Sequence, residues 1–420
     1  MQAVIIAAGE SSRFWPLNHI HKTQTYLLGK PIIYWTLKGF AEHGIQDIVI
    51  VCRPNSSMQE LLEKENDLGV RISFVVQQEP LGTGNALWQA KELITKPFYV
   101  CWPNKVNAGE IIHLMEEKRK AGAQGVLVGG YTATPWDYGI FRCENDRMVE
   151  IVENPLPGKE PSNIKMLGLM YFERDFFNYY EKLPEHHEAD FIDAINAYSR
   201  EKRISFVALS DEAPALKYPW ELFVLSDILF RSSLFFPAIA PSATIGKNVI
   251  IDGMVRIGEH TIIHDSTIIT GPCFIGPDCE IGYSNVLRGP VDLERGVKTG
   301  AYMEIKHSIV QEGTHFHSGF LGDCLVGKNC RFGAGFIAAN RRMDRGSIAV
   351  SIKGKKVDTG LDFFGAAIGE ASRFGIHSGT MPGVLIGSHC VIGPGTHVFD
   401  NIPDNTSVVT KFANEEKEIP

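Results

Sequence analysis

Two glycine-led loops carry the first chemistry legible in this chain. Gly9-Glu-Ser-Ser-Arg13 follows the apolar run Ala3-Val-Ile-Ile-Ala-Ala8. Leu81-Gly-Thr-Gly-Asn-Ala-Leu87 follows a second β-rich run, residues 73–77. A loop of this kind lets backbone N–H groups approach a phosphate closely. Each alone reads equally as a strand-to-helix turn. Arg13 and Lys22 bracket Pro16 beside the first loop. A third stretch, from Ala338 to about Gly365, is basic and holds Asn340, Arg341, Arg342, Lys353, Lys355 and Lys356.

The elements around the glycine loops alternate strand and helix. Strands are predicted over residues 3–8, 47–52 and 73–77, with helices opening at Ile32 and near Met58. Such alternation argues a doubly wound, Rossmann-like, mostly parallel sheet. Ligands of these sheets bind at the C-terminal strand ends, where both glycine loops would lie. Further helices are expected at 175–182, 189–202 and 219–230, the last covering the open end of the C-terminal half.

That half is built on a repeat. An aliphatic residue recurs every six positions: Ile239, Ile245, Ile251, Ile257, Ile263, Ile269, Ile275, Ile281, Leu287, Leu293, then Thr299 and Ile305. The period suits neither a helix nor an alternating strand. Three such faces make one triangular coil with an apolar side chain pointing inward from each, a parallel β-helix of hexapeptide repeats. After Ile305 the period slips, then resumes from Ile368 through Phe374, Thr380, Ile386, Ile392 and Val398. The basic stretch interrupts it, and a long excursion in a strict repeat points to function. The expected domains are 1–230 and 231–420.

A net charge of -8 gives no reason to expect nucleic acid or an anionic membrane as partner. No stretch approaches the ~18 apolar residues of a membrane span. Cys273/Cys279 and Cys324/Cys330 are spaced by the repeat period itself, so stacked rungs explain them better than zinc or disulfides. A reducing cytoplasm is the expected compartment.

Gly9-x-Ser-x-Arg13-x-x-Pro16, Lys22, Lys30-Pro31 and Gln77 with Leu81-Gly-Thr-Gly84 resemble the sugar-1-phosphate nucleotidylyltransferases. The resemblance implies that Ala7, Ala8 and Gly9 wrap nucleotide phosphates. It implies that Arg13 and Lys22 neutralise the transferred group and pyrophosphate, and that Gln77, Gly82 and Thr83 read the base. Tyr138-Gly139 and Ile151-Val-Glu153-Asn-Pro155 match the sugar pocket, with Gly139 lining it and Glu153 accepting from sugar hydroxyls. The substrates implied are UTP or dTTP and a sugar-1-phosphate, with Mg²⁺ as cofactor.

The chain departs from that family at the metal. The Asp that holds Mg²⁺ is Asn104 here, and Ala215 stands near the second carboxylate position. Mg²⁺ is held by charged carboxylate oxygens and substrate phosphates. Losing one such charge at ~4 Å costs on the order of 4 kcal/mol at an effective dielectric of 20. Asp211 and Glu212 are acids that could substitute through a shifted loop.

The second half is similar to the hexapeptide-repeat acyltransferases, and more narrowly to the acetyltransferase half of bifunctional N-acetylglucosamine-1-phosphate uridylyltransferases of archaeal type. Leu287-Arg288-Gly289, Gly300-Ala-Tyr-Met-Glu-Ile-Lys306, His317-Ser-Gly-Phe-Leu-Gly-Asp323 and Ala339-Asn340 carry it. The resemblance implies a left-handed coil, a homotrimer and acetyl-CoA as co-substrate. His317 takes the position of the base that removes a proton from a sugar amine, a task suited to a near-neutral pKa. Arg288 and Lys306 match residues holding the sugar phosphate, and Asn340 one near the amine or acetyl carbonyl. Phe320 replaces a phosphate-binding Tyr, Arg331 an Asn, and Gly346 and Ala349 stand where lysines are usual. Three functions are compatible with this pattern: both transfers, acetyl transfer behind a front domain that only binds sugar nucleotide, or a non-catalytic sensor or scaffold.

Overall fold

The run Gln2–Ala7 is apolar after its first residue, which suits a strand buried on both faces. It forms β1 of a sheet completed by β2 (Asp47–Cys52), β3 (Arg71–Val76), β4 (Phe98–Cys101), β5 (Gly125–Tyr131), β6 (Gly139–Glu144), β7 (Arg147–Glu153), β8 (Ile164–Phe172) and β9 (Ile204–Leu209). The computed structural model describes residues 1–210, 215–413 and 416. Its chain divides into two units. Unit 1 comprises Met1–Glu10, Thr23–Thr25 and Lys30–Ala215; unit 2 comprises Ser11–Lys22, Tyr26–Gly29 and Leu216–Pro420.

In unit 1 the strand order is β3-β2-β1-β4-β8-β5-β9-β7-β6. β1 runs parallel to β2 and β4, and β2 to β3. β8 is antiparallel to β4 and β5, and the β6–β7 hairpin closes the far edge. The helices are α1 (Ile32–Glu42), α2 (Met58–Glu65), α3 (Gly82–Gln89), α4 (Ala108–Lys120), α5 (Phe176–Glu181) and α6 (Asp190–Glu201). Side chains alternate across the sheet with the strand period of two. Tyr99 and Tyr171 join the core under α1 and α4, whereas Phe98 and Phe172 join the core under α5 and α6. The α1–α4 crossing is tight: a Cβ at Gly39 would stand 2.4 Å from the Gly109 nitrogen. The mostly parallel α/β sheet expected of this half is present.

In unit 2 the hexad residues stack. Thr244 pairs in parallel with Ile262, Ile262 with Glu280 and Glu280 with Lys298, so one rung lies over the next at an interval of three hexads. Ile257, Ile263, Ile269, Ile275, Ile281, Leu287, Leu293 and Ile305 are buried in one continuous core. All strands paired between rungs are parallel. Two rungs are shortened, which explains the slip after Ile305: Ile305 lies opposite Leu321, and Phe316 opposite Phe332. Phe316, Phe332 and Phe374 then stack with ring centroids 4.5 and 4.6 Å apart. Phe332 pairs directly with Phe374, so the basic excursion leaves the stack without displacing its register. Part of it is an antiparallel hairpin, Ala349–Ile352 with Lys355–Asp358.

The expected apolar helix is α7 (Glu221–Arg231). It does not cover the end of the stack. Ile239 and Ile245, in the first coil, remain 49% and 37% exposed. Instead Phe223 of α7 lies on the ring of His307 at 4.6 Å and near Phe364, on the flank. The cysteines are free, and Cys273, Cys279, Cys324 and Cys330 are buried in the stack as rung residues. Among the described residues no helix is long and apolar enough to cross a membrane.

Candidate functional sites

In unit 1 the parallel strands β1, β2, β3 and β4 deliver several expected residues to one edge. Ala7 ends β1, Ala8 and Gly9 follow it, and Asn104 follows β4. Gln77 follows β3, is buried, and donates from Nε2 to the Gly82 carbonyl and to Asn85 Oδ1, both at 3.0 Å. Gln77 thereby braces the loop that opens α3 with Gly82 and Thr83. Gly82 needs to be glycine twice over: its φ is +90°, and a Cβ would meet the Glu188 carbonyl oxygen at 2.4 Å.

On the antiparallel side Gly139 lies opposite Glu153. A Cβ at Gly139 would come within 2.7 Å of Glu153 Oε2, so the carboxylate leans over bare backbone. Burial raises the Glu153 pKa above the ordinary carboxylate range. Lys165, on β8 and paired with Ile140, lies over the Tyr138 ring at 4.3 Å. Trp102 donates its backbone N–H to Gly168 at 2.8 Å. A Cβ at Gly168 would overlap the Trp102 ring at 1.9 Å.

The metal position does not fit a divalent cation. Asn104 is buried and neutral, and Ala215 offers no donor. Among the described residues no cluster of three or more His, Cys, Asp and Glu side chains could hold a metal ion. Asp211 and Glu212 lie outside the described residues. The side chain following Asn104 is instead a cation: Lys105 is 2% exposed. Burial lowers its ammonium to about 8; nearby Cys101 opposes the shift and Lys165 adds to it. Sequence reasoning misses Lys105 because the family pattern directs attention to the absent carboxylate and not to its replacement. A lysine four residues past the apolar strand Phe98–Cys101 is the available signal.

Arg13 and Lys22 lie in unit 2, apart from the other expected nucleotide-binding residues in the division of the chain. Burial lowers the Lys22 pKa; Glu221 opposes this, while Arg13 and Lys217 reinforce it. Glu221, the first residue of α7, accepts the backbone N–H groups of Lys217 and Tyr218 and is raised by burial. The Lys22 backbone N–H donates to Ser11 Oγ at 3.1 Å. Lys22 thus has Glu221, Arg13 and Lys217 as charged neighbours.

Further along unit 2, Arg288, Lys306 and Gly322 occupy successive positions of one ladder. Arg288 is ion-paired with Glu304. The centre of this site is Asp323, which closes the His317–Asp323 motif and has no role assigned by sequence. Asp323, 2% exposed, receives Lys306 Nζ at 3.2 Å, His307 Nδ1 at 2.7 Å and the Asn340 amide. These donors, His307 foremost, hold its pKa below the ordinary value against burial. Lys306 and Arg341 also flank the Phe363 ring, at 4.3 and 4.8 Å. Lys306 and Asn340 therefore meet at one carboxylate.

His317 is not in that contact set. It follows the strand His315–Phe316, donates its backbone N–H to Phe332, and lines a groove of about 520 Å³. Lys298, His315, Arg331 and Arg373 line the same groove together with Glu280, which pairs with Lys298 at 3.3 Å. Arg331, at a position where the resemblance leads one to expect Asn, donates to the carbonyls of Gly313 and Cys330. Phe320 crowds Gly322: a Cβ there would meet its Cζ at 2.6 Å.

A family model described as nucleotidyl transferase matches residues 2–213. A bifunctional sugar-1-phosphate nucleotidylyltransferase/acetyltransferase of Sulfurisphaera tokodaii is 31% identical over 95% of this chain and 97% of its own length. Proteins described as bifunctional protein GlmU are similar over almost the whole chain as well. That of Methanococcus vannielii is 28% identical over 98% of both chains, and that of Methanocaldococcus jannaschii 27% over 97% of both.

Proposed function

The chain belongs to the family of bifunctional sugar-1-phosphate nucleotidylyltransferases and acetyltransferases, and we propose that it makes an N-acetylated sugar nucleotide by two separate transfers. Unit 2 is read as a left-handed parallel β-helix that acetylates an amino-sugar phosphate. Lys306, with Arg288, holds the sugar phosphate as a charge-assisted pair. Asn340, fixed by Asp323, faces the amine or acetyl carbonyl. The amine nitrogen attacks the thioester carbonyl of acetyl-CoA as His317 takes its proton. The C–S bond breaks, and the thiolate leaves to be protonated. Fixing the acceptor beside the thioester spares the encounter its entropy cost.

Unit 1 is read as the nucleotide half. A sugar-1-phosphate oxygen attacks the α-phosphorus of UTP or dTTP and pyrophosphate leaves. Gly9 and its neighbours present backbone N–H groups to the phosphates, while Gln77, Gly82 and Thr83 read the base. Gly139 and Glu153 receive the sugar. The resemblance gives Arg13 and Lys22, both in unit 2, the neutralisation of phosphate charge, which dominates catalysis of this class. No step is routed through Mg²⁺, because Asn104 and Ala215 do not provide for it.

The observation that carries the reading is the relative matched over 95% of this chain, both halves in the same order. A second reading, acetyl transfer with a front unit that binds without turnover, is favoured by Asn104 and Ala215 standing where carboxylates are expected. Pyrophosphate release from UTP or dTTP with a panel of sugar-1-phosphates separates the two. Release with any pair supports both transfers; silence with all pairs, alongside thiol release from acetyl-CoA, supports the second. Asn104→Asp should then raise pyrophosphate release and make it depend on Mg²⁺. A homotrimer is proposed from the resemblance, and light scattering on the purified protein tests it.

A further inference from the structure

We propose that the ammonium of Lys105 takes the place of a divalent cation in unit 1, so that this unit holds nucleotide phosphate without metal. The inference rests on the reading of unit 1 as a nucleotide site. Lys105 follows Asn104 directly and is almost wholly buried. Among the described residues no carboxylate pairs with it. Its aromatic neighbour is Trp102, whose ring centroid lies 5.9 Å from Nζ. The charged side chain closest in influence is Lys165, a second buried cation.

A buried ammonium with no counter-ion is costly, and native proteins pair such groups. The position worsens the cost. Lys105 stands three residues before the first residue of α4, the end where the helix dipole is positive. A buried lysine beside a helix N-terminus, with no acid among the described residues to answer it, describes a place completed by an anion. Asn104 and Lys105 follow the C-terminal end of β4, which runs parallel to β1 and the Gly9 loop after it, the edge where such sheets bind ligands. Trp102 lies against Gly168, and Lys165 lies over Tyr138, next to Gly139. The residues also exchange charge in step. A carboxylate plus a divalent cation sums to one positive charge, and an amide plus an ammonium sums to the same.

Calorimetric titration of the full-length protein with UTP and with dTTP tests this, in EDTA and in Mg²⁺. At least one nucleotide should bind in EDTA within about threefold of its affinity in Mg²⁺. Lys105→Met, close in volume but neutral, should weaken binding in EDTA by about tenfold or more, the scale of one charge-assisted contact. The double variant Asn104→Asp/Lys105→Met should bind only when Mg²⁺ is present. Wild-type binding that disappears in EDTA overturns the proposal, as does unchanged affinity in Lys105→Met. If that variant fails to fold, the wild-type comparison decides alone. Binding that requires Mg²⁺ sinks this inference but leaves the nucleotide reading standing. Absence of binding in both buffers brings down the two together.

Discussion

Asp323 shows how one buried carboxylate can organise a site. Its oxygens take up an ammonium, an imidazole and an amide, and each donor is oriented by the others. Asp323→Asn removes the charge and leaves Lys306 and His307 facing a neutral group. Both partners are about a quarter exposed, so water repays part of the loss. The expected destabilisation is about 2 kcal/mol, read from the denaturant midpoint. Acetyl transfer should fall with it, because Lys306 and Asn340 lose their anchor. His317→Ala should behave differently. Its side chain is exposed, so the midpoint should stay unchanged while thiol release from acetyl-CoA falls by about 100-fold or more. Thiol release at the wild-type rate would clear His317 of the base role.

Elements of the second unit are legible in the sequence because a six-residue period has few physical solutions. Each inward Ile or Leu has to meet its equivalent one coil away, and from Ile257 onward it does. The slip after Ile305 is legible as an irregularity but not as two shortened rungs, since sequence spacing cannot say which corner loses its residues. The place of α7 escapes for a related reason: its apolar face announces burial but not against what, and Phe223 takes the flank at His307. In the first unit the strands and glycine loops are plain, whereas Lys105, like Asp323 in the second, is not. The meaning of both depends on which groups come near in space, and a one-dimensional pattern does not carry that. The aromatic ladder gives the element-scale prediction. Phe332 lies between Phe316 and Phe374 in the core of the stack, just before the excursion departs. Phe332→Ala opens a cavity that both neighbours border, with an expected cost of about 3–5 kcal/mol in urea unfolding. Coils on both sides of the excursion should loosen together; hydrogen exchange confined to one side would show that the ladder does not couple them.

At the scale of the molecule, unit 2 gathers a turn from early in the chain through an acidic pair that no motif announces. Leu28 and Gly29, both at positive φ, donate their backbone N–H groups to Asp292 Oδ2 and Glu294 Oε1, each at 3.0 Å. Both acids are buried in the stack. Burial pushes Asp292 up to about 7, and burial together with Asp292 pushes Glu294 up as well. A carboxyl raised in the folded state binds its proton there before the unfolded chain does. Its contribution to stability is therefore full below about pH 4, near its unfolded pKa, and is lost as pH rises through about 7. The melting temperature of the transition that reports unit 2 should thus fall between pH 5 and pH 8, the measurement being a series of thermal scans across that window. His19 and His315, both lowered chiefly by burial, work in the opposite direction below their ordinary value, so the net slope alone is not diagnostic. The double variant Asp292→Asn/Glu294→Gln isolates the pair, because its amides still accept both N–H groups but cannot ionise. Asp323 does not confuse the comparison, since a lowered carboxyl loses its contribution only below about pH 4. The variant should gain stability over the wild type at pH 8 and little at pH 5. An equal difference at the two ends would mean that the pair stays ionised, or stays protonated, across the whole window.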